Sequence, residues 1–374
     1  MSVRSYLEEV YNLKVNPFES RTDPTVDMAG RVREKSAWTE AIESRRGSRA
    51  NAIHFIVGDY GFGKTLSLHK ITQQYTDGPE ILAIFMKMLS EDKVSKFGVD
   101  FIQRIFRGVR IEVFRQFNLQ DTKTLRQVYP EPARIFERIV LGDDEARLFL
   151  QGEVSVTAAQ LSKLGVRRKI DRTDIAKEYL LGFLFLVKNT GIRTLLLAVD
   201  EVEYVFSQMR GANISLVFNT LRDFYDLPDS SAARQLPSPP ANTIFFLGIS
   251  SAGWNKLNDL SRREQTEGGP LQPLMRRFGE IIELSPLSED ETKQLIKLRL
   301  SRNRVTGEYE DQPLIPYDES FVKYVSGLSL GNPGEIVKYC DYALEEGLKV
   351  KAELLDRDFA KQAFIAHGLT IGPD

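Results

Sequence analysis

The chain has 374 residues, 42% hydrophobic and 27% charged, with a formal net charge of −2, enough for two or three domains and too neutral for a global pull toward nucleic acid or anionic membrane. One cysteine, Cys340, excludes an internal disulfide framework, and three scattered histidines, His54, His69 and His367, lack zinc spacing. No apolar run nears the roughly 18 residues that cross a bilayer, so no membrane contact and a cytoplasmic location are expected.

Residues 1–50 read as an N-terminal approach segment. Residues 1–10 are charged and helical in pattern, Asn16-Pro17-Phe18 and Asp23-Pro24 are turn signals, and a helix over 33–44 places Trp38, Ala41 and Ile42 on one face. Four runs follow, at 52–57, 81–88, 194–199 and 243–249, apolar throughout and rich in Ile, Leu, Val or Phe. That is the pattern of parallel strands buried on both faces, and helical patterns between them predict an α/β fold, a parallel-sheet P-loop core over 51–284. About a hundred residues part the second and third strands, more than a crossover helix needs, so a helical insertion is expected at about 90–190. Residues 227–241, with Pro228, Pro237, Pro239 and Pro240, read as a surface loop. From 285 to 374 the pattern is a helical lid, broken at 313–316 and at Gly331-Asn332-Pro333-Gly334.

Gly58-Asp59-Tyr60-Gly61-Phe62-Gly63-Lys64-Thr65 is a complete Walker A motif between a strand and a helix. Its glycines let backbone N–H groups through Leu66 face the phosphates of ATP, with the helix N-terminus behind them. Lys64 offers a cation to phosphate oxygens, and Thr65 a hydroxyl to Mg²⁺. The strand at 194–199 ends in Asp200-Glu201, a Walker B pattern. Asp200 is expected to hold Mg²⁺ and Glu201 to orient and deprotonate the attacking water. Glu203 reads as a solvated helix residue. Ser250-Ser251 at the last strand tip suits either a bond to the γ-phosphate or attacking water, or an ST-turn. Arg276-Arg277, ahead of an apolar run at 281–284, suits either a neighbouring subunit's γ-phosphate or surface ion pairing.

With these residues assembled, the chain resembles the AAA+ P-loop ATPases. The Tyr-Gly form of its Walker A, Gly30-Arg31 with Glu34, and Gly248-Ile249-Ser250-Ser251 are similar to motifs of the initiator and STAND-related branch. That branch holds origin-recognition-like, transposon-type and BREX-type ATP-binding proteins. Asn16-Pro17-Phe18 with Asp23-Pro24 looks like the approach segment of transposon and secretion AAA+ ATPases. The resemblance covers most of 15–90 and 190–345. It implies that the Gly30–Glu34 segment runs under the adenine, that Ser251 falls at sensor 1, and that Arg277 is an arginine finger, hence a homo-oligomer. Gly334 stands where the lid motif has its sensor-2 arginine, with Lys338 one turn later as the substitute. After 351–366 little chain is expected for the winged helix of origin-binding relatives.

In the insertion, Arg104, Arg107 and Arg110 fall at i, i+3 and i+6, a spacing that predicts a single stripe along one side of a helix, with Arg115 beyond, and Lys163, Arg167, Arg168, Lys169 and Arg172 make a second basic cluster. Such clusters suit DNA phosphates; paired with Glu112, Asp171 and Asp174 they equally suit a solvated face. Two functions follow. One is an oligomeric ATPase hydrolysing ATP with Mg²⁺ to act on DNA or a DNA-bound protein complex, of replication, transposition or phage-defence type. The other is an ATP-dependent switch or scaffold that binds a protein partner, turns over slowly and makes no direct DNA contact. A small-molecule kinase fits less well, since Glu201 beside Asp200 suits water as nucleophile.

Overall fold

Apolar runs without polar alternation settle as strands covered on both faces. In the computed structural model, which describes residues 3–19, 28–45, 50–76, 78–88, 96–208, 212–267, 271–305 and 312–369, they become β1 (Ala52–Val57), β2 (Ile81–Lys87), β3 (Thr194–Asp200) and β4 (Asn242–Ile249). The Asp23-Pro24 turn signal lies outside the described residues. A fifth strand, β5 (Phe278–Glu283), was not anticipated as such. It carries two acids and a glycine and buries only Ile282, the mark of an edge strand rather than a central one. The order is β2-β3-β4-β1-β5, all parallel. Val57 lies opposite Ile249, Val199 opposite Leu247 and Lys87 opposite Asp200, so the tips of β1 to β4 share the carboxyl edge where α/β sheets take ligands.

The chain divides into two compact units, one of residues 1–35, 58–67 and 283–374, the other of 36–57 and 68–282. The second holds the sheet and the insertion, whose helices are Phe97–Gly108, Ile111–Arg115, Leu119–Leu125, Pro130–Val140, Asp144–Gln151, Ala158–Leu164 and Thr173–Asn189. Phe106, Phe114, Phe136 and Phe183 are fully buried there and meet ring to ring. The first insertion helix stops at Gly108 because Val109 is extended, and Arg110 precedes the next helix. Arg104 and Arg107 therefore share a helix and Arg110 does not, which corrects the single-stripe reading. Residues 227–241 are also more tightly held than a surface loop. Leu227, Ala233, Leu236 and Ala241 are buried, and the Tyr129 hydroxyl donates to the Ala232 carbonyl at 3.0 Å; the apolar residues between the prolines anchor the segment.

In the first unit, helices Val3–Glu9, Glu289–Arg302, Glu319–Ser329, Pro333–Val350 and Arg357–Ala366 enclose a core that includes Tyr11, Phe18, Leu300, Phe321 and Cys340. Ser288, Asp318, Asn332 and Asp356 cap the last four through their side chains. Asn16-Pro17-Phe18 acts as a staple within this unit. Asn16 donates to Asp341 at 2.6 Å, Pro17 accepts from Arg299 at 2.8 Å, and Phe18 meets Tyr317 edge-on.

Candidate functional site

Downstream of β1 the chain turns through Gly58-Asp59-Tyr60-Gly61-Phe62-Gly63 into the helix Lys64–Tyr75. Gly61 and Gly63 have φ of +86° and +91°, a backbone that side-chain-bearing residues rarely adopt and that a phosphate nest requires. Lys64 Nζ donates to the Gly58 carbonyl at 2.8 Å and the Asp59 carbonyl at 3.1 Å, so its charge lies across the loop. Arg31, 5% exposed and itself at φ +49°, pairs with Glu34 at 2.9 Å. It also donates to the Phe62 carbonyl at 3.2 Å and to the Ser285 carbonyl. The Gly30-Arg31-Glu34 motif thus ties the loop to the segment that leads into the lid.

The same unit contains a cavity of about 170 Å³. Tyr60, Gly61, Gly63, Lys64, Thr65 and Leu66 line one side, and Leu295, Arg299, Gly334 and Val337 are on the other. An apolar wall facing a cation, a hydroxyl and loop amides suits a nucleoside phosphate. Arg299, 4% exposed, is the lid cation in this wall. Lys338 pairs instead with Glu335 at 3.0 Å and lies over Tyr339 and Tyr342.

At the carboxyl edge of the sheet, Asp200 is 1% exposed and its Oδ1 accepts from the Glu201 amide at 2.9 Å. A Cβ at position 248 would lie 2.9 Å from that oxygen, so Gly248 makes the room Asp200 occupies. Glu201 holds φ +59°, a left-handed conformation that costs a non-glycine residue on the order of 1–3 kcal/mol. Its Oε1 meets Lys87 Nζ at 2.9 Å. This hydrogen bond is the first cause of a raised Lys87 pKa, followed by the Glu201 charge. Lys87 thus occupies one oxygen of the Glu201 carboxylate. Lys87 ends an apolar strand and gives no sequence signal; only the pairing of β2 with β3 brings it beside Asp200 and Glu201.

Of the two serines at the tip of β4, the first fills the turn-closing role. Ser250 Oγ accepts from the Gly253 amide at 3.1 Å and caps the helix Ser251–Glu267, of which Ser251 is the first residue. Glu203 departs from its solvated reading. Its Oε2 is buried without a hydrogen-bond partner among the described residues, because the turn after β3, held by Val202 N to Gly248 O at 3.0 Å, packs it against Gly253.

Arg277 is engaged within its own chain. Its Nε and Nη2 reach the two oxygens of Asp226, each at 2.9 Å, and its guanidinium lies 5.8 Å from the Tyr225 ring centre. Arg276 beside it is exposed. Much of the insertion's basic charge is also paired: Lys163 with Glu145 at 2.8 Å, Arg168 with Glu131 and Glu178, Arg172 with Asp174 at 2.7 Å. Arg104 and Arg110 donate to the carbonyls of Lys87 and Thr76, while Arg107 and Arg167 are exposed. Among the described residues no group of three or more His, Cys, Asp or Glu is arranged to hold a metal, and no helix is long and apolar enough to cross a membrane.

A family model described as BREX system ATP-binding protein BrxC/D matches residues 143–322. No curated protein matches the chain. Among solved structures, the Aeropyrum pernix ORC2 protein in its ADPNP–ADP complexes is similar with a TM-score of 0.55 and 13% identity, over 96% of this chain and 72% of that one. The Thermotoga maritima RuvB Holliday junction branch migration motor gives 0.41 and 15%, over 90% and 70%. Drosophila ORC bound to DNA gives 0.44 and 13%, over 95% and 65%. At these identities the ORC2 likeness speaks for the fold alone, and the two lower scores add nothing to it.

Proposed function

We propose that this chain, which has the AAA+ P-loop fold and is similar to initiator-like and BREX-type ATP-binding proteins, is an ATP-binding switch with restrained hydrolysis. The observation that carries the reading is the phosphate loop with Lys64 and Thr65 facing a lid-walled cavity. The loop amides and Lys64 bind the phosphates, and Leu295, Val337 and Arg299 wall the nucleoside. Thr65 and Asp200 are the hard oxygen donors Mg²⁺ takes, and the ion, when bound, supplies charge neutralisation on the phosphates. Water attacks the terminal phosphorus as the bond to the bridging oxygen breaks and ADP leaves, and Glu201 receives the water's proton. Ser251 at the strand tip is the candidate to orient that water. The Lys87–Glu201 ion pair favours slow basal turnover, raised when a protein partner draws Lys87 away.

A second reading, an oligomer acting on DNA, draws support from exposed Arg107, Arg167 and Arg276. In that reading Arg277 serves as finger only after releasing Asp226, and Arg276 needs no such release. ATP turnover and sedimentation of wild type and Glu201→Gln, each with and without duplex DNA, separate the two. Slow, DNA-indifferent turnover that Glu201→Gln lowers by about a hundredfold or more, with nucleotide binding retained, supports the switch. ATP-driven assembly with DNA-stimulated turnover supports the second reading, and a wild type that binds no nucleotide sinks both.

A further inference from the structure

The N-terminus of the lid helix Pro333–Val350 rests on the phosphate loop through main-chain groups. Asn332 serves two purposes there. Its Oδ1 accepts from the amides of Gly334 at 2.9 Å and Glu335 at 3.3 Å, capping the helix, while its Nδ2 donates to the Tyr60 carbonyl at 2.9 Å. The Gly334 amide also donates to the Gly61 carbonyl at 3.0 Å. This approach depends on two glycines. A Cβ at position 61 would lie 2.5 Å from Asn332 Oδ1, and one at 334 would lie 2.9 Å from Gly61 Cα, closer than carbon and oxygen atoms tolerate. A long side chain at 334 is incompatible with this contact. Glycine at that position is therefore what the clasp requires, besides being the loss of a cation.

The cavity that Lys64 and Thr65 share with Leu295, Arg299 and Val337 is bounded by the same residues, Tyr60, Gly61 and Gly334. The helix end is thus part of the wall beside a nucleotide held there. We propose that Asn332 is a latch on nucleotide release: the lid grips the loop's carbonyls rather than the terminal phosphate, so it slows the departure of nucleoside diphosphate and triphosphate alike. The proposal rests on the nucleotide-binding reading above and deepens it by naming what limits exchange. Asn332 is a positioning residue, acting through the loop and not on the nucleotide.

Asn332→Asp isolates the latch from the cap. A carboxylate still accepts from the Gly334 and Glu335 amides, and aspartate is as good a helix cap as asparagine, but it has no proton to give Tyr60 and repels that carbonyl. Stopped-flow release of fluorescent ADP and of a fluorescent non-hydrolysable ATP analogue from the full chain, with a thermal melt of each variant, provides the test. Asn332→Asp is expected to speed release of both nucleotides about tenfold, the loss of roughly one hydrogen bond plus a repulsion, with Tm changed by only a few degrees. Gly334→Ala, which adds one methyl against Gly61, is expected to act in the same direction and serves if the aspartate variant fails to fold. Release unchanged in both variants overturns the latch. Acceleration confined to the triphosphate overturns it too, since the lid would then be reading the terminal phosphate. If wild type holds neither nucleotide, the nucleotide-binding reading fails and the latch with it; if wild type holds them and the variants release at its rate, the latch alone fails.

Discussion

In the unit that carries the phosphate loop, the working contacts are a buried guanidinium and bonds to main-chain carbonyls. Arg31 is 5% exposed and gives its donors to Glu34 and to two carbonyls, and Asn332 and Gly334 bond to carbonyls of the loop itself. At the carboxyl edge of the sheet, the working pair is half exposed, with Lys87 at 56% and Glu201 at 46%, and Glu201 is held in a left-handed backbone. Buried polar groups lose their full desolvation cost when a partner goes, whereas exposed pairs are screened by water. The loop therefore belongs to a stiff clasp, and the carboxylate edge to a pair that reorganises at little cost.

The largest effect is expected where the clasp loses its buried charge. Arg31→Ala leaves Glu34 and the carbonyls of Phe62 and Ser285 without their donor, and breaking a buried pair of this kind costs about 3–5 kcal/mol. Chemical denaturation monitored with nucleotide binding checks it; a loss below about 1 kcal/mol would mean the clasp is no stiffer than the sheet edge.

The next effect is in acid and belongs to the sheet unit. Burial, aided by the Arg45 charge, pushes the His54 imidazole down from 6.5 to about 4. The ring is 3% exposed, and its Nδ1 accepts from the Glu280 amide at 3.0 Å. Between those two values the unfolded chain takes up a proton that the folded chain refuses. Stability is therefore complete above about pH 6.5 and is lost as the pH falls toward 4, by on the order of 3 kcal/mol. In His54→Asn, whose amide oxygen still accepts from Glu280, the slope of stability with pH over that window should flatten. Urea melts at pH 7.5 and 4.5 compare the two chains.

The smallest energetic effect, with the clearest functional one, is expected at Lys87. Lys87→Met removes an exposed ion pair worth less than about 1 kcal/mol, so Tm should barely move. Freed of its ammonium, Glu201 should raise basal ATP turnover by roughly two- to fivefold, the reach of so screened a pair. Turnover that falls instead would make Lys87 a participant in the chemistry rather than a restraint on it.

Much of this was legible in the chain because it is local. Unbroken apolar runs specify buried parallel strands, and eight consecutive residues from Gly58 to Thr65 carry a loop conformation in their glycines and a charge in Lys64. Asp200-Glu201 follows its strand without a gap. β5 escaped because an edge strand needs little hydrophobicity, and the packing of 227–241 escaped because prolines masked the apolar residues between them. The tertiary structure alone decided which distant groups restrain the motifs. Lys87 meets Glu201 across 114 residues, Asn332 meets Tyr60 across 272, and Arg277 meets Asp226 across 51. No periodicity or spacing encodes such meetings. They depend on strand order, on the register that sets Lys87 opposite Asp200, and on two glycines whose missing side chains let a helix end rest on a loop. Local sequence fixes what a segment is able to do, and packing fixes which partner it does it with.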